Sequence, residues 1–308
     1  MARKNSKRRS RLISFLLMCM VVAVYFFYPI IEERLNLDGD KAITEVTDSL
    51  EIHIVDVGQG DCAIISTSVG YILIDAGDKT SAAENSVRSY LKGLGITEIS
   101  YAILTHPDAD HIGSADMVIE EFEVENVIMP RLSEKVQSTV EAREVYTDLM
   151  NAISLSETNV IIAEPGTEYE LGELDFKILA PNSYSGSDVN NYSIAVRFDF
   201  GETSFLFTGD ALEASEKEMI TLYGDELDCD FFQAGHHGAK NANTQIFLSI
   251  VTPDIVAVSC GLNNKYGHPT GEALNNFEAV DAVVYRTDLM GSLVFVSDGC
   301  DIVYQNNK

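Results

Sequence analysis

The chain has 308 residues, enough for one large domain or two small ones, and 46% of them are hydrophobic, which suits a folded protein with a real core. The formal charge is −27; six basic residues (Arg3, Lys4, Lys7, Arg8, Arg9 and Arg11) lie at the very start, and subtracting these six positive charges leaves −33 for the remainder. A domain that acidic repels a polyanion at long range, which excludes broad duplex binding unless a basic groove or metal ions offset the field.

Residues 12–31, LISFLLMCMVVAVYFFYPII, carry no charge and match the length of a membrane-spanning helix. With the basic segment 1–11 ahead of them, they predict a signal anchor with a cytoplasmic N-terminus, a single-pass cell-membrane protein and an extracytoplasmic remainder. No small-x-small cleavage site follows, which argues against a removable signal peptide. Residues 32–50 are polar and read as a tether, so the candidate chemistry lies in 51–308.

In that region EIHIVDV (51–57), CAIIST (62–67) and YILIDAG (71–77) read as strands, followed by a helical pattern over 82–95 that ends at a glycine. A buried strand over 99–106 comes next. Then come a helix over 113–122, a strand over 124–130 and one helical region over 132–156. The second half begins with short strands (NVIIAE, YELGELDFKILAP, YSIAVRFDFG and TSFLFTGD). A helix over 211–224, the strand CDFFQAG, a further helix, DIVAVSCG, a helix near 270–279 and two final strands follow. Two series of strands, each interleaved with helices, predict an α+β fold: two packed sheets with helices outside, an αββα four-layer sandwich preceded by the one transmembrane helix.

Five of the six histidines fall in loops after strands: His106 and His111, His236 and His237, and His268. The sixth, His53, sits inside the first strand and reads as a packed or surface histidine. In THPDADH, imidazoles and carboxylates stand together where a buried strand ends, and these are the ligand types that divalent transition metals accept. His106 with Asp108, and Asp110 with His111, form two candidate half-sites on one loop. Asp210 ends the apolar strand FLFTGD, where a carboxylate with two oxygens can bridge two cations. In QAGHHG, His236 and His237 are candidates either to donate a proton or bind a phosphate oxygen, or to orient the ligands. His268 is a candidate last ligand. Asn263, Asn264 and Lys265 are candidate contacts to an anionic substrate, for which plain turn residues are at least as good a reading, and Lys240 is a further candidate substrate contact. The five cysteines (Cys19, Cys62, Cys229, Cys260 and Cys300) form no CxxC pair, so a cysteine zinc site is not expected and buried free thiols are.

Together the stretches HIVDVGQGDCAII, YILIDAG, LTHPDADHIG, NNYSIAVRF, FLFTGD, QAGHHG and GLNNKYGHP resemble the metallo-β-lactamase superfamily, most closely the extracellular domain of ComEC-type competence proteins. The resemblance implies a hydrolase that uses one or two divalent ions, Mn2+ or Zn2+. His106 and Asp108 would serve the first ion, Asp110, His111 and His268 the second, and Asp210 would bridge. Asp75 would support the site through hydrogen bonds, with Asp56 and Asp61 as further supports and Asn190, Asn191 and Ser193 facing substrate. Asp110 is the candidate proton acceptor. Two departures fall on one metal: Asp108 stands where the superfamily has histidine, and only Asn190, Asn191 and Ser193 stand where it has a histidine before the bridging aspartate. Oxygen ligands there shift preference toward harder cations. The expected function is a membrane-anchored extracellular phosphodiesterase or nuclease, with DNA or another phosphodiester as substrate and no protein partner inferred. The alternatives are hydrolysis of another extracellular ester, such as a wall phosphoester or a lactam, and a non-catalytic metal-stabilised binding module.

Overall fold

A computed structural model describes residues 49–183 and 186–305. In chain order the strands are β1 (Leu50–Ile54), β2 (Ala63–Ser66), β3 (Tyr71–Ile74), β4 (Glu98–Ile103), β5 (Glu123–Met129), β6 (Asn159–Ile162), β7 (Glu168–Leu171) and β8 (Leu174–Ala180). They continue with β9 (Ala195–Phe200), β10 (Thr203–Phe207), β11 (Phe231–Gln233), β12 (Ile255–Val258), β13 (Val283–Arg286), β14 (Leu293–Ser297) and β15 (Ile302–Gln305). The first sheet runs β15-β14-β1-β2-β3-β4-β5-β6 and the second β13-β12-β11-β10-β9-β8-β7. Each sheet is antiparallel on one side and parallel on the other: β3 to β6 are parallel in the first, β10 to β13 in the second.

The period-2 alternation of side chains assigns the faces. Ile52, Ile54, Ile72, Ile74 and Ile103 of the first sheet meet Phe176, Phe198, Phe205, Phe207 and Phe231 of the second in one core between the sheets. The intervening residues point outward. Leu73 and Ala102 pack under helices Ser81–Gly93, Ala115–Glu121 and Glu144–Leu155, while Leu206, Phe232 and Val256 pack under Glu213–Tyr223, Gln245–Val251 and Gly271–Glu278. Helix Ser81–Gly93 shows why these segments coil: Thr80 caps it by accepting from the Ala83 amide, and Ala83, Val87 and Leu91 recur every four residues as its buried stripe. The result is the four-layer α+β sandwich.

Three expectations change. First, no helix among the described residues is long and apolar enough to cross a membrane. The longest, Ser81–Gly93 with 13 residues, spans about 20 Å against a hydrocarbon core of about 30 Å. The segment 12–31, on which the transmembrane helix was predicted, lies outside the described residues, as do 1–11 and the tether up to residue 48. The transmembrane helix is therefore removed from the fold description, and with it single-pass anchoring, the membrane as a partner and the extracytoplasmic location. Second, the helical region 132–156 is two helices, Glu134–Glu141 and Glu144–Leu155, broken where Arg143 takes an extended backbone. Third, the loop after β4 coils into a short helix, Ala109–Ile112, that carries two of the candidate ligands. Cys62, Cys229 and Cys260 are buried free thiols, and Cys300 is exposed.

The core between the sheets is aromatic. Phe231 packs against Phe205, Phe207 and Phe295 with ring centroids 5.9, 5.8 and 5.0 Å away. Phe231→Ala is expected to lower unfolding free energy by about 3–5 kcal/mol, because so many rings cannot collapse into the space. Denaturant titration measures this, and a loss below about 1 kcal/mol would contradict the packing.

Candidate metal centre

The parallel halves of both sheets deliver their C-terminal strand ends to one place, the usual location of sites in parallel sheets. Asp75 follows β3, and His106, Asp108, Asp110 and His111 follow β4. Asp210 follows β10, His236 and His237 follow β11, and His268 lies in the loop after β12.

Asp75 is fully buried with its backbone in the left-handed region (φ 57°). One carboxylate oxygen accepts the Thr105 amide at 2.7 Å; the other accepts the Thr105 hydroxyl and His111 Nδ1, both at 2.7 Å. Having donated to Asp75, Thr105 Oγ1 is free to accept from His106 Nδ1, 3.2 Å away. Asp61 does for His237 what Asp75 does for His111: its Oδ1 lies 3.1 Å from His237 Nδ1. With each Nδ1 spent on an acceptor, each ring in its neutral form carries its lone pair on Nε2. All three Nε2 atoms turn toward Asp210: His111 at 3.2 Å and His237 at 3.8 Å from Oδ1, and His106 at 3.8 Å from Oδ2. His106, His111 and His237 Nε2 and Asp210 Oδ1 are buried without a hydrogen-bond partner in the protein. Unsatisfied buried polar atoms cost stability, so lone pairs gathered this way fit a cation.

Among the described residues four overlapping groups have ligand atoms within 4.8 Å of one another; two of them, His106–His111–Asp210 and Asp110–His111–His237, leave out the supporting acids Asp61 and Asp75. His111 belongs to both. His237 is thus placed among the ligand atoms, a role the residue pattern left open against proton donation. Asp108 lies 3.6 Å from His106 Nε2 and is paired with Arg143. His268 stands at the rim, its ring 5.6 Å from that of His236 and 6.3 Å from that of His237.

The electrostatics favour positive charge in the cluster. Burial works against a charged His111, but Asp210 and Asp75 outweigh it and raise its pKa well above the ordinary value. The same opposition, with Asp210 and Asp61 as the acids, raises His237. Burial would raise the Asp210 and Asp110 carboxyls, yet His111 and His237 beside them, as positive partners, hold both well below the usual range. At the rim, burial and then repulsion from His237 lower His268 to about 4. His236 is also lowered, by burial against the pull of Asp210, so both rim imidazoles are neutral.

The other candidates are placed as follows. Ser193 Oγ accepts the Asp210 amide at 3.1 Å and so holds the strand end. Asn264 spends its side chain on its own loop, on Gly261 and on both backbone groups of His268. Asp56 closes a turn by accepting the Gly58 amide at 3.0 Å. Asn190 and Asn191 lie in the turn Val189–Tyr192, and Lys240 is exposed. His53 is buried, with Nδ1 3.1 Å from the Tyr90 hydroxyl. DNA is not retained as a partner: among the described residues the two cations beside the ligand loop, Arg143 and Lys79, each lie against acids (Asp108 for Arg143, Asp116 and Asp148 for Lys79), too few to offset the acidic field along a polyanion.

The residue pattern missed the supports of the HHG turn. His236 and His237 both hold left-handed backbone (φ 49° and 55°), a strained choice for non-glycine residues. Asn243 clamps the turn: its Oδ1 accepts the Gly235 amide and its Nδ2 donates to the Gly235 carbonyl, both at 2.8 Å. Buried Glu216 in turn accepts the Asn243 amide and the Thr244 hydroxyl. Gly60 lets the chain pass the ligand loop, since a Cβ there would sit 2.3 Å from the Asp110 carbonyl oxygen.

Two outcomes follow. Asp75→Ala frees the His111 and Thr105 donors, and metal affinity is expected to fall about 10–100-fold; competition against a chromogenic chelator measures it, and an unchanged affinity would remove Asp75 from the site's support. Burial raises the Glu216 pKa from 4.5 to about 7, with Thr244 and Asn243 opposing. The fold therefore favours the protonated acid, whose contribution is complete below pH 4.5 and lost as pH rises through about 7. Glu216→Gln, which stays neutral, should flatten the fall in melting temperature between pH 5 and pH 8, and calorimetric profiles parallel to wild type would refute this.

The sequence profile of the metallo-beta-lactamase superfamily matches residues 55–261. The chain is 26% identical to ComE operon protein 3 of Bacillus subtilis (strain 168) over 297 residues, 90% of this chain and 35% of that protein. It is 26% identical to Competence protein ComA of Neisseria gonorrhoeae, covering 79% and 32%, and 27% identical to Recombination protein 2 of Haemophilus influenzae, covering 79% and 28%. It thus spans about a third of the length of these relatives, and the similarity is to several competence-associated proteins rather than to the ComEC type specifically. Among solved structures, the metallo-beta-lactamase fold protein YhfI of Bacillus subtilis is similar with a TM-score of 0.51 at 13% identity, over 82% of this chain and 100% of that one. CmlA, a diiron beta-hydroxylase from Streptomyces venezuelae, gives 0.52 at 14% identity, over 84% and 54%; both likenesses concern the fold alone. With the four-layer sandwich, the histidine–aspartate cluster at its strand ends and a profile match over two thirds of its length, the chain belongs to the metallo-β-lactamase superfamily.

Proposed function

We propose that this protein is a metal-dependent hydrolase acting on phosphodiester bonds. The observation that carries the metal-dependent part is the convergence of three buried Nε2 lone pairs on Asp210, each ring fixed through Nδ1. His106, His111, His237, Asp110 and Asp210 would hold divalent ions, with Asp108 and His268 completing the set; oxygen-rich ligation on the His106 side favours Mn2+ over Zn2+ there. When bound, a divalent cation supplies Lewis acidity and makes water a nucleophile near neutral pH.

The protein's own groups divide the remaining work. Asp110 has an exposed edge (30% against 4% for Asp210) and, unlike Asp108, carries no arginine, so it is the carboxylate placed to take a proton from attacking water. His236, neutral and 21% exposed with Nε2 3.4 Å from Asp210, stands at the mouth where a leaving oxygen departs, and can hydrogen-bond it. The phosphodiester reading is supported by the similarity to several competence and recombination proteins. A lactam substrate is disfavoured, because Asp108 replaces a histidine that zinc would prefer.

The test pairs elemental analysis with turnover of bis(4-nitrophenyl) phosphate in Mn2+. Asp110→Ala is expected to lower kcat by about 100-fold or more. Unchanged turnover would remove Asp110 from the chemistry, and bound metal without wild-type turnover would mark a binding module instead.

A further inference from the structure

The break between helices Glu134–Glu141 and Glu144–Leu155 falls at Arg143, and the extended backbone there sends its side chain to the ligand loop. Nη1 donates to the Pro107 carbonyl at 2.9 Å and to Asp108 Oδ1. A guanidinium has five N–H donors, and this contact uses only those of Nη1. Nε and Nη2 have no partner among the described residues, and the side chain remains 32% exposed. The Nε–Nη2 edge is one that grips two oxygens of a single phosphate or carboxylate.

Arg143 lines a cavity of about 580 Å3 together with Lys79, Asp108, Ala109, Glu144 and Val145. Asp108 and Ala109 belong to the ligand loop, so this cavity borders that loop. Arg143 also borders a second hollow, lined by Lys135, Val136, Thr139 and Ser187–Val189, which does not reach that loop. The other cation of the first cavity, Lys79, is engaged by Asp116 and Asp148. Glu144, in the same wall, repels an anion and restricts where one can sit.

We propose that Arg143 is the anion-recognition residue of this site: pinned through Nη1 to Pro107 and Asp108, it offers Nε and Nη2 to the phosphate group of a substrate lying in the cavity beside the ligand loop. This rests on the phosphodiester reading and adds to it the residue that grips the substrate. It also explains how a chain of charge −27 admits an anion. One rigid, partly desolvated guanidinium binds locally where the long-range field repels.

The experiment compares wild type, Arg143→Met and Arg143→Lys, each loaded with Mn2+, with inorganic phosphate and bis(4-nitrophenyl) phosphate as probes. Metal content and circular dichroism are measured alongside. Arg143→Met is expected to weaken phosphate binding by about 10–100-fold in calorimetry, with metal content unchanged. It should raise KM for the diester by a similar factor while kcat changes less, and Arg143→Lys, which keeps the charge without the fork, should fall between. Phosphate affinity equal to wild type in Arg143→Met, or no phosphate binding by wild type, would overturn the assignment. So would loss of metal from Arg143→Met that Arg143→Lys restores, since Arg143 would then act only through Asp108. Phosphate binding through Arg143 without diester turnover would leave this inference standing and end the phosphodiesterase reading. Turnover with KM and phosphate affinity indifferent to Arg143 would do the reverse.

Discussion

One buried carboxylate, Asp75, organises the centre. It accepts three hydrogen bonds at 2.7 Å and joins the end of β3 to the end of β4 and to the short helix that carries His111. A fully buried acid is costly unless its lone pairs are used, and here they are used by groups that then cannot turn. Fixing His111 through Nδ1 aims its Nε2 at Asp210, and occupying the Thr105 hydroxyl lets that oxygen receive His106. Asp61 repeats the device for His237 from a different loop. Ligand geometry is therefore set by hydrogen bonds one step behind the ligands, which is how metal-binding histidines are generally held.

Around that frame the backbone is tightly specified. Two successive histidines in left-handed conformation persist because Asn243 grips the peptide before them on both its amide and its carbonyl, and Glu216 grips Asn243. The Gly238 turn lies against Pro269, which follows His268: a Cβ on Gly238 would come within 2.6 Å of the proline side chain. The HHG turn and the His268 loop thus share a wall. Strain at a functional turn survives where the surroundings over-determine it.

Charge is managed locally. Asp108 replaces a neutral imidazole by an anion, and Arg143 sits on it, so the pair has the net charge of the ring it replaces while offering oxygen instead of nitrogen. The same pairing moors a cation at the mouth of a centre that otherwise presents carboxylates.

The elements that depend on nearest neighbours were legible in the residues. Alternating apolar positions marked the strands, and the i, i+4 recurrence marked helices such as Ser81–Gly93. The placing of histidines and aspartates after apolar runs marked the loops that form the centre, because strand ends are where a buried chain first meets polar surroundings. The uncharged stretch 12–31 was legible only as composition, and no helix of the described fold has that character. What the chain order could not supply was partnership. Asp61 and His237 are 176 residues apart, Arg143 and Asp108 are 35 apart, and no local period links either pair. Nor could it separate a side chain that faces substrate from one that closes a loop, as with Asn264, or that ties down a strand end, as with Ser193. Composition and period determine which segments bury a face and where polar side chains emerge. Which nitrogen meets which oxygen is decided only when two sheets pack and bring the ends of β3, β4, β10 and β11 together, since hydrogen bonds and ligand contacts are set by ångström-scale distances that exist only in the packed chain.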